Sequence, residues 1–166
     1  MVIEKNGLAI AFAENTGVAS FLLAEKDVVF TQATCENVKV FDVRLENERI
    51  CYIAEINGYN FSCSYQIKED ETGRYVSFKI FSDSDFSGMV RYPAPILVQK
   101  GDRAIEAYGE GFAFNVEDDI EFPPERLLFG GSWNSMSFWS IESGQSWIMT
   151  AVIDNAYAYL ITAKEC

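Results

Sequence analysis

The stretch from residue 59 to residue 67 alternates strictly between apolar and polar side chains, and this period of two constrains the fold more than any other feature. The apolar positions are Tyr59, Phe61, Cys63, Tyr65 and Ile67. Successive side chains of a β-strand point to opposite faces, so the pattern predicts a strand with one buried face. Residues 41–45 and 76–80 alternate in the same way, and no window of 12 residues sustains a helical stripe. An all-β chain with very little helix is therefore predicted.

Turn signals separate the predicted strands at short intervals. Asn57-Gly58 stands between the runs 49–56 and 59–67, and Asn-Gly is a strong hairpin signal because both residues accept positive φ. Residues 15–17, 71–73 and 142–144 carry similar signals, and they join 8–13 to 18–23, 59–67 to 74–81 and 136–141 to 146–152. Regularly spaced strands and turns predict an antiparallel β-sandwich. It would comprise a meander through residue 82, a looser stretch to residue 129, and two or three closing strands.

Chain length, hydrophobic fraction and net charge limit the number of domains and the kinds of partner. A chain of 166 residues fits one domain, residues 1–166, and a hydrophobic fraction of 49% supplies a core. The formal net charge of −12 would repel phosphate backbones and anionic lipid, and the sequence shows no compensating Lys/Arg cluster. Neither nucleic acid nor a membrane is expected as a partner, and no apolar stretch is long enough to span a bilayer. The first residues lack the organisation of a secretory signal. The expectation from these residues is a protein that is cytoplasmic or whose leader was removed.

Histidine is absent from the whole sequence, which restricts the chemistry that the chain can perform. The commonest general base, the commonest metal ligand and every Ser–His or Cys–His pair are excluded. The cysteines match no zinc module. Cys63 is predicted to be a small buried hydrophobe, with a disulfide to Cys51 or Cys35 as the alternative. Asp83-Ser84-Asp85 lacks the further ligands of a calcium loop. Neither a cofactor nor a metal is expected.

The loose, proline-containing stretch is predicted to lie at an edge of the sheet or outside it, and irregular segments on a rigid scaffold often carry binding residues. Tyr108-Gly109-Glu110-Gly111 suggests a bulge or turn that a ligand or a neighbouring domain could approach closely. Glu106 and Glu110 flank Tyr108-Gly109, Asp118-Asp119 and Glu121 follow, and two such carboxylates could in principle hydrolyse a glycoside. A small hydrolase or epimerase would use Glu106, Glu110 or Asp154. Solvation or turn formation is the alternative interpretation of these acids.

A glycine-rich segment leads into the closing strands and carries two tryptophans. Trp133 follows Gly130-Gly131, and from Met136 onward the alternation places Phe138 and Trp139 on opposite faces. An exposed tryptophan can stack on the C–H face of a sugar ring. Packing in a core or an interface is the competing interpretation, because tryptophan on a strand is often buried.

The second half of the chain resembles the N-terminal β-sandwich of large bacterial glycoside hydrolases, a galactose-mutarotase-like supersandwich that precedes a (β/α)₈ barrel. The resemblance covers residues 85–162 and rests on short motifs in a fixed order. These are Gly101-Asp102-Arg103-Ala104-Ile105, Tyr108-Gly109-Glu110-Gly111, the segment from Gly130 through Trp133-Asn134 to Phe138-Trp139, and finally Ala151 with Asp154-Asn155-Ala156.

The resemblance implies a non-catalytic accessory domain, cut from a longer modular protein, that packs on a catalytic (β/α)₈ domain of the same polypeptide and lines its glycan cleft. Six residues are then expected to contact carbohydrate or the neighbouring domain: Tyr108, Glu110, Trp133, Asn134, Trp139 and Asp154. Two other functions stay open. One is an independent carbohydrate-binding module that uses exposed aromatics and loop acids. The other is a small hydrolase or epimerase, although mutarotases of this kind depend on the histidine that is missing here.

Overall fold

The computed structural model describes most of the chain, and the strand residues 28–29, 104–106, 112–114, 120–122 and those from 138 onward are described by their backbone alone. The described residues are 1–23, 28–71, 73–82, 85, 92–94, 96–106, 112–117, 120–122, 138–143, 146–153 and 156–163. They contain β-strands and turns and no helix. The prediction of an all-β antiparallel sandwich is confirmed.

The first four strands form a small antiparallel sheet in chain order. They are β1 (Val2–Lys5), β2 (Leu8–Ala13), β3 (Val18–Leu23) and β4 (Val28–Thr31). Leu8, Ile10 and Phe12 alternate with exposed or half-buried neighbours along β2, as a strand covered on one face requires. In the turn between β2 and β3, Gly17 has φ +71°, and a Cβ added there would lie 2.6 Å from Val40 Cγ2.

The large sheet contains nine strands among the described residues, ordered β11-β10-β13-β14-β15-β8-β7-β6-β5. Four consecutive strands form a meander: β5 (Val38–Glu46), β6 (Arg49–Ile56), β7 (Tyr59–Asp70) and β8 (Gly73–Ser82). The other five are β10 (Arg103–Glu106), β11 (Phe112–Asn115), β13 (Phe138–Ser143), β14 (Ser146–Ile153) and β15 (Ala156–Ala163). A third, two-stranded sheet pairs β9 (Ile96–Val98) with β12 (Ile120–Phe122), and a bridge from Gln32 to Ile96 links it to the small sheet.

The core lies between the small sheet and one face of the large sheet. Phe12 of β2 contacts Tyr52 of β6 with ring centroids 4.6 Å apart, and Phe21 of β3 lies edge-on to Tyr65 of β7 at 6.2 Å. Tyr65 in turn lies 4.8 Å from Phe78 of β8. These large rings remove much apolar surface from water, which is the main favourable contribution to folding.

Several sequence predictions are confirmed. The turn residues Asn57 and Gly58 have φ of +53° and +83°, as a type I′ hairpin requires. Cys63 is buried at 3% exposure, and Cys35, Cys51 and Cys63 are free thiols, so the disulfide alternative is wrong for these three. Tyr92 to Ala94 lie outside the strands, as the prolines predicted.

Two predictions need correction. The meander through residue 82 is not one sheet, because residues 1–31 and 38–82 form separate layers. The predicted alternation of Phe41, Val43 and Leu45 is interrupted by a β-bulge between Phe41 and Arg44, where Asp42 has φ +55°. A bulge inserts an extra residue into one strand and changes the phase of its side chains. Phe41 therefore shares a face with Arg44, opposite to that of Val43.

Candidate interaction surface

Of the six predicted contact residues, only Trp139 lies within the described part of the chain. Tyr108, Glu110, Trp133, Asn134 and Asp154 lie outside the described residues. They remain predictions.

The register of the large sheet gives Trp139 two neighbours. It stands opposite Glu106 of β10 on one side and Thr150 of β14 on the other. The structure thus brings together Glu106 and Trp139, two positions that the sequence analysis considered separately. The same row of paired positions continues through Tyr159 to Val76, which is buried.

The face of β5–β8 that points away from the small sheet is described along the whole of these four strands and is here called the outer face. Its nineteen positions follow from the register of three strand pairs. They form four rows and two further pairs: Lys39–Glu55–Asn60, Phe41–Ile53–Ser62–Phe81, Arg44–Cys51–Ser64–Lys79, Glu46–Arg49–Gln66–Ser77, and then Lys68–Tyr75 and Asp70–Gly73 at the end of β7 and the start of β8.

The second row of the outer face is its apolar part. Phe41 and Phe81 are 38% and 60% exposed, and Ile53 and Ser62 between them are half-buried. Neighbouring strands lie about 4.8 Å apart, so the two phenylalanine positions are about 14 Å apart across the sheet. One exposed aromatic side chain thus lies at each end of this row.

Charged side chains lie in the rows on either side of this apolar row. Lys39 forms an ion pair with Glu55 across β5 and β6, with 3.0 Å between Nζ and Oε1, and Arg44 Nε lies 3.4 Å from Glu46 Oε2. All four charged groups are exposed or half-buried, so each pair contributes little to stability. Their main effect is on the charge that the face presents to a partner.

The outer face corrects the statement that no Lys/Arg cluster is present. Lys39, Arg44, Arg49 and Lys79 come from three different strands, and the register places them on one surface. Their separation along the chain hides the cluster in the sequence.

The buried titratable groups form a second cluster, between the sheets. Tyr52 and Tyr92 hydroxyls lie 2.7 Å apart, and Tyr92 also donates to Gly17 O at 3.4 Å. Burial raises the pKa of both tyrosines, and it raises the pKa of the Cys63 thiol to about 12. All three side chains are therefore neutral at pH 7. They act as hydrogen-bonding and packing groups rather than as bases or nucleophiles.

Gln32 connects Tyr65 of the large sheet to the small sheet, and no sequence signal marked it. Its Oε1 accepts from Ala19 N at 3.1 Å and from the Tyr65 hydroxyl at 3.0 Å, with the residue only 2% exposed. A buried amide that accepts two bonds positions both layers of the sandwich. Its isolated position in the sequence, between Thr31 and Ala33, gives no indication of this role.

Metal binding and membrane spanning find no support within the described residues. No group of three His, Cys, Asp or Glu side chains there is placed to hold a metal ion. The described part also contains no helix that could cross a membrane.

Comparison with known proteins shows what the fold is similar to. No protein-family model matches the sequence, and no curated protein matches it. Three solved structures of the α-N-acetylgalactosaminidase NagBb from Bifidobacterium bifidum are similar. The complex with Gal-NHAc-DNJ has a TM-score of 0.67 at 10% identity and covers 100% of this chain. The ligand-free form and the GalNAc complex both have TM-scores of 0.66 at 10% identity and cover 100% and 98% of it.

The extent of the match differs between the two proteins. The chain spans 36% of the length of each NagBb structure, while the match covers nearly all of the chain itself. At 10% identity the likeness shows a shared fold. That fold is one part of a larger glycoside hydrolase in the neighbours.

Proposed function

We propose that this chain is a non-catalytic accessory β-sandwich domain of a glycoside hydrolase. It packs on a catalytic (β/α)₈ domain of the same polypeptide and lines the rim of that domain's glycan cleft. The observation that carries the proposal is the match of the entire chain to 36% of a glycosidase. The order of motifs around Tyr108, Trp133 and Asp154 supports the same interpretation from the sequence.

The chemistry of the described residues supports a structural role for the chain. The sequence contains no histidine, and burial raises the pKa of Cys63 and Tyr52 so that both are neutral at pH 7. A general base works best with a pKa near the operating pH. Neither of these side chains meets that condition, so the catalytic groups are assigned to the other domain.

The proposal is tested first by the complete reading frame that contains residues 1–166, together with the activity of its product. A (β/α)₈ pattern in that frame and hydrolysis of aryl glycosides by the complete polypeptide are expected. The isolated chain should hydrolyse none of the same substrates. Turnover by the isolated chain that disappears in Glu110→Gln would identify it as a hydrolase instead. A frame with no second domain would also end the proposal.

Glycan binding by the isolated chain distinguishes an accessory domain from an independent carbohydrate-binding module. Calorimetric titration with mono- and oligosaccharides should give dissociation constants weaker than about 1 mM, which corresponds to a binding free energy less favourable than about −4 kcal/mol. A micromolar constant that is lost in Trp139→Ala, but kept in the control Trp147→Ala, would favour the binding module.

A further inference from the structure

The outer face differs in charge from the rest of the molecule. It carries five basic side chains, Lys39, Arg44, Arg49, Lys68 and Lys79, against the three carboxylates Glu46, Glu55 and Asp70, a net charge of +2. The whole chain carries −12, so the other residues together carry −14. A local potential opposite to the field of the whole molecule selects a partner of complementary charge.

Three of these basic groups, Arg49, Lys68 and Lys79, have no counter-ion within the described residues. Lys39 and Arg44 are paired with Glu55 and Glu46, whereas Arg49 and Lys79 form no ion pair with any described side chain. Both are exposed. They stand on β6 and β8, at either side of the polar positions of β7, and they are free to meet carboxylates from outside.

The arrangement of the rows matches the anatomy of a protein interface. An apolar row containing Phe41 and Phe81 runs across the strands, and charged rows lie beside it. Protein interfaces combine an apolar centre, enriched in aromatic residues, with a polar rim. Sites for small ligands are concave, whereas an exposed row of this kind on a sheet face suits contact with another protein surface.

The size of the outer face indicates what kind of partner it fits. The strands β5–β8 alone, about 4.8 Å apart over about seven residues each, give an area of about 450 Å², and β15 continues the sheet beyond β8. A stable complex between separate chains buries about 800 Å² on each partner. Interfaces between domains of one chain are smaller, about 300–750 Å² a side, because the linker keeps the partners together.

We propose that the outer face of β5–β8 is the surface that docks on an acidic patch of the neighbouring domain of the same polypeptide. This inference rests on the proposed function and adds to it the interface and the charge of the partner. Arg49 and Lys79 supply the unpaired positive charge, and Phe41 and Phe81 supply the apolar contact.

Zero-length cross-linking of the complete polypeptide tests the interface. A carbodiimide joins a lysine amine to a carboxylate in direct contact, and peptide mass spectrometry identifies both. We expect Lys39 and Lys79 to form cross-links to Asp or Glu beyond residues 1–166. Lys5, exposed on the small sheet, is the matched control and should give at least tenfold fewer. The yield from Lys79 should fall several-fold in 1 M salt, where the Debye length is about 3 Å.

Charge reversal provides a second measurement that does not depend on cross-linking. Lys79→Glu should lower the melting temperature of this domain in the complete polypeptide and leave the isolated chain unchanged, whereas Lys5→Glu should change neither. Equal effects of Lys79→Glu and Lys5→Glu would overturn the inference, as would cross-links from Lys79 confined to residues 1–166.

The remaining outcomes separate this inference from the proposed function. An active glycosidase whose second domain cross-links only through other surfaces would refute the interface and leave the accessory role intact. A complete polypeptide without a catalytic domain would refute both. Retention of the isolated chain on heparin–agarose, lost in Arg49→Glu, would identify an anionic glycan as the occupant instead. A dimer in sedimentation that dissociates in Lys79→Glu would identify a second copy.

Discussion

Replacement of Gln32 by methionine tests whether a single buried amide ties the two layers together. The substitution keeps the length of the side chain and removes Oε1, which accepts from Ala19 N and the Tyr65 hydroxyl. Each buried donor left without an acceptor costs about 1–3 kcal/mol. Because two donors are affected, Gln32→Met should reduce the free energy of unfolding by about 3 kcal/mol. For a domain of this size that corresponds to a fall in melting temperature of about 6–12 °C.

Urea denaturation is compared for Gln32→Met, Gln66→Met, Tyr65→Phe and the double variant of Gln32→Met with Tyr65→Phe. Gln66→Met, on the half-buried outer face, is the matched substitution and should change the free energy of unfolding by less than about 0.5 kcal/mol. In a Tyr65→Phe background, Gln32→Met should cost about 1–2 kcal/mol less, because one of its two donors is already gone. A loss below 0.5 kcal/mol for Gln32→Met alone, or strict additivity in this cycle, would show that Gln32 does not hold the layers through these bonds.

Three further predictions follow from the turn at residue 17 and from the buried thiol. Gly17→Ala should reduce the free energy of unfolding by about 3 kcal/mol in urea, because its Cβ would lie 2.6 Å from Val40 Cγ2 at φ +71°. Gly58→Ala, at φ +83° with nothing within 4 Å, should cost only the backbone strain of about 1–2 kcal/mol, and equal losses would contradict the steric argument. At pH 8 in the native state, Cys51 should react with a disulfide reagent such as DTNB, and Cys63 should stay at least tenfold slower. Since folding raises the pKa of Cys63 to about 12, the unfolded thiol ionises first. The stability that the neutral, buried Cys63 thiol contributes should be complete below a pH of about 8 and should be lost as the pH rises toward 12. A rise in the free energy of unfolding over that range would be inconsistent with burial of this thiol.

Local features of the sequence were sufficient to predict the hairpins. The β6–β7 hairpin depends on Asn57-Gly58, whose positive φ values the sequence anticipates directly. The alternation from Tyr59 to Ile67 is a property of one strand, and the buried positions of β7 follow it. Such predictions succeed because the residues that determine them are neighbours in the chain.

The pairing of strands that lie far apart in the chain could not be predicted from local sequence features. The large sheet is continued past β8 by β15, where Val76 stands opposite Tyr159, and no turn connects the two strands. Antiparallel pairing between distant segments depends on the packing of both faces and not on local residue types. The division of residues 1–82 into two layers depends in the same way on how the strand faces pack. Sequence patterning therefore predicted the strands but not which sheet each of them joins.

The outer face shows why a summed charge constrains partners only in part. A net charge of −12 describes the field at a distance, where individual positions are averaged. Contact depends on separations below the Debye length of about 8 Å, and at that range the register of β5–β8 decides which charges act together. The bulge after Phe41 places Arg44 opposite Cys51, and the β7–β8 register then sets Lys79 in the same row. If β5 kept all its residues and paired regularly from Phe41 onward, Arg44 would point to the other face and Val43 would share the outer face with Phe41. Deletion of Asp42 removes the extra residue itself and leaves one residue between Phe41, opposite Ile53, and Arg44, opposite Cys51, so both should stay on the outer face. In the complete polypeptide this variant should keep its cross-links from Lys39 and Lys79, and loss of either would contradict the proposed docking surface.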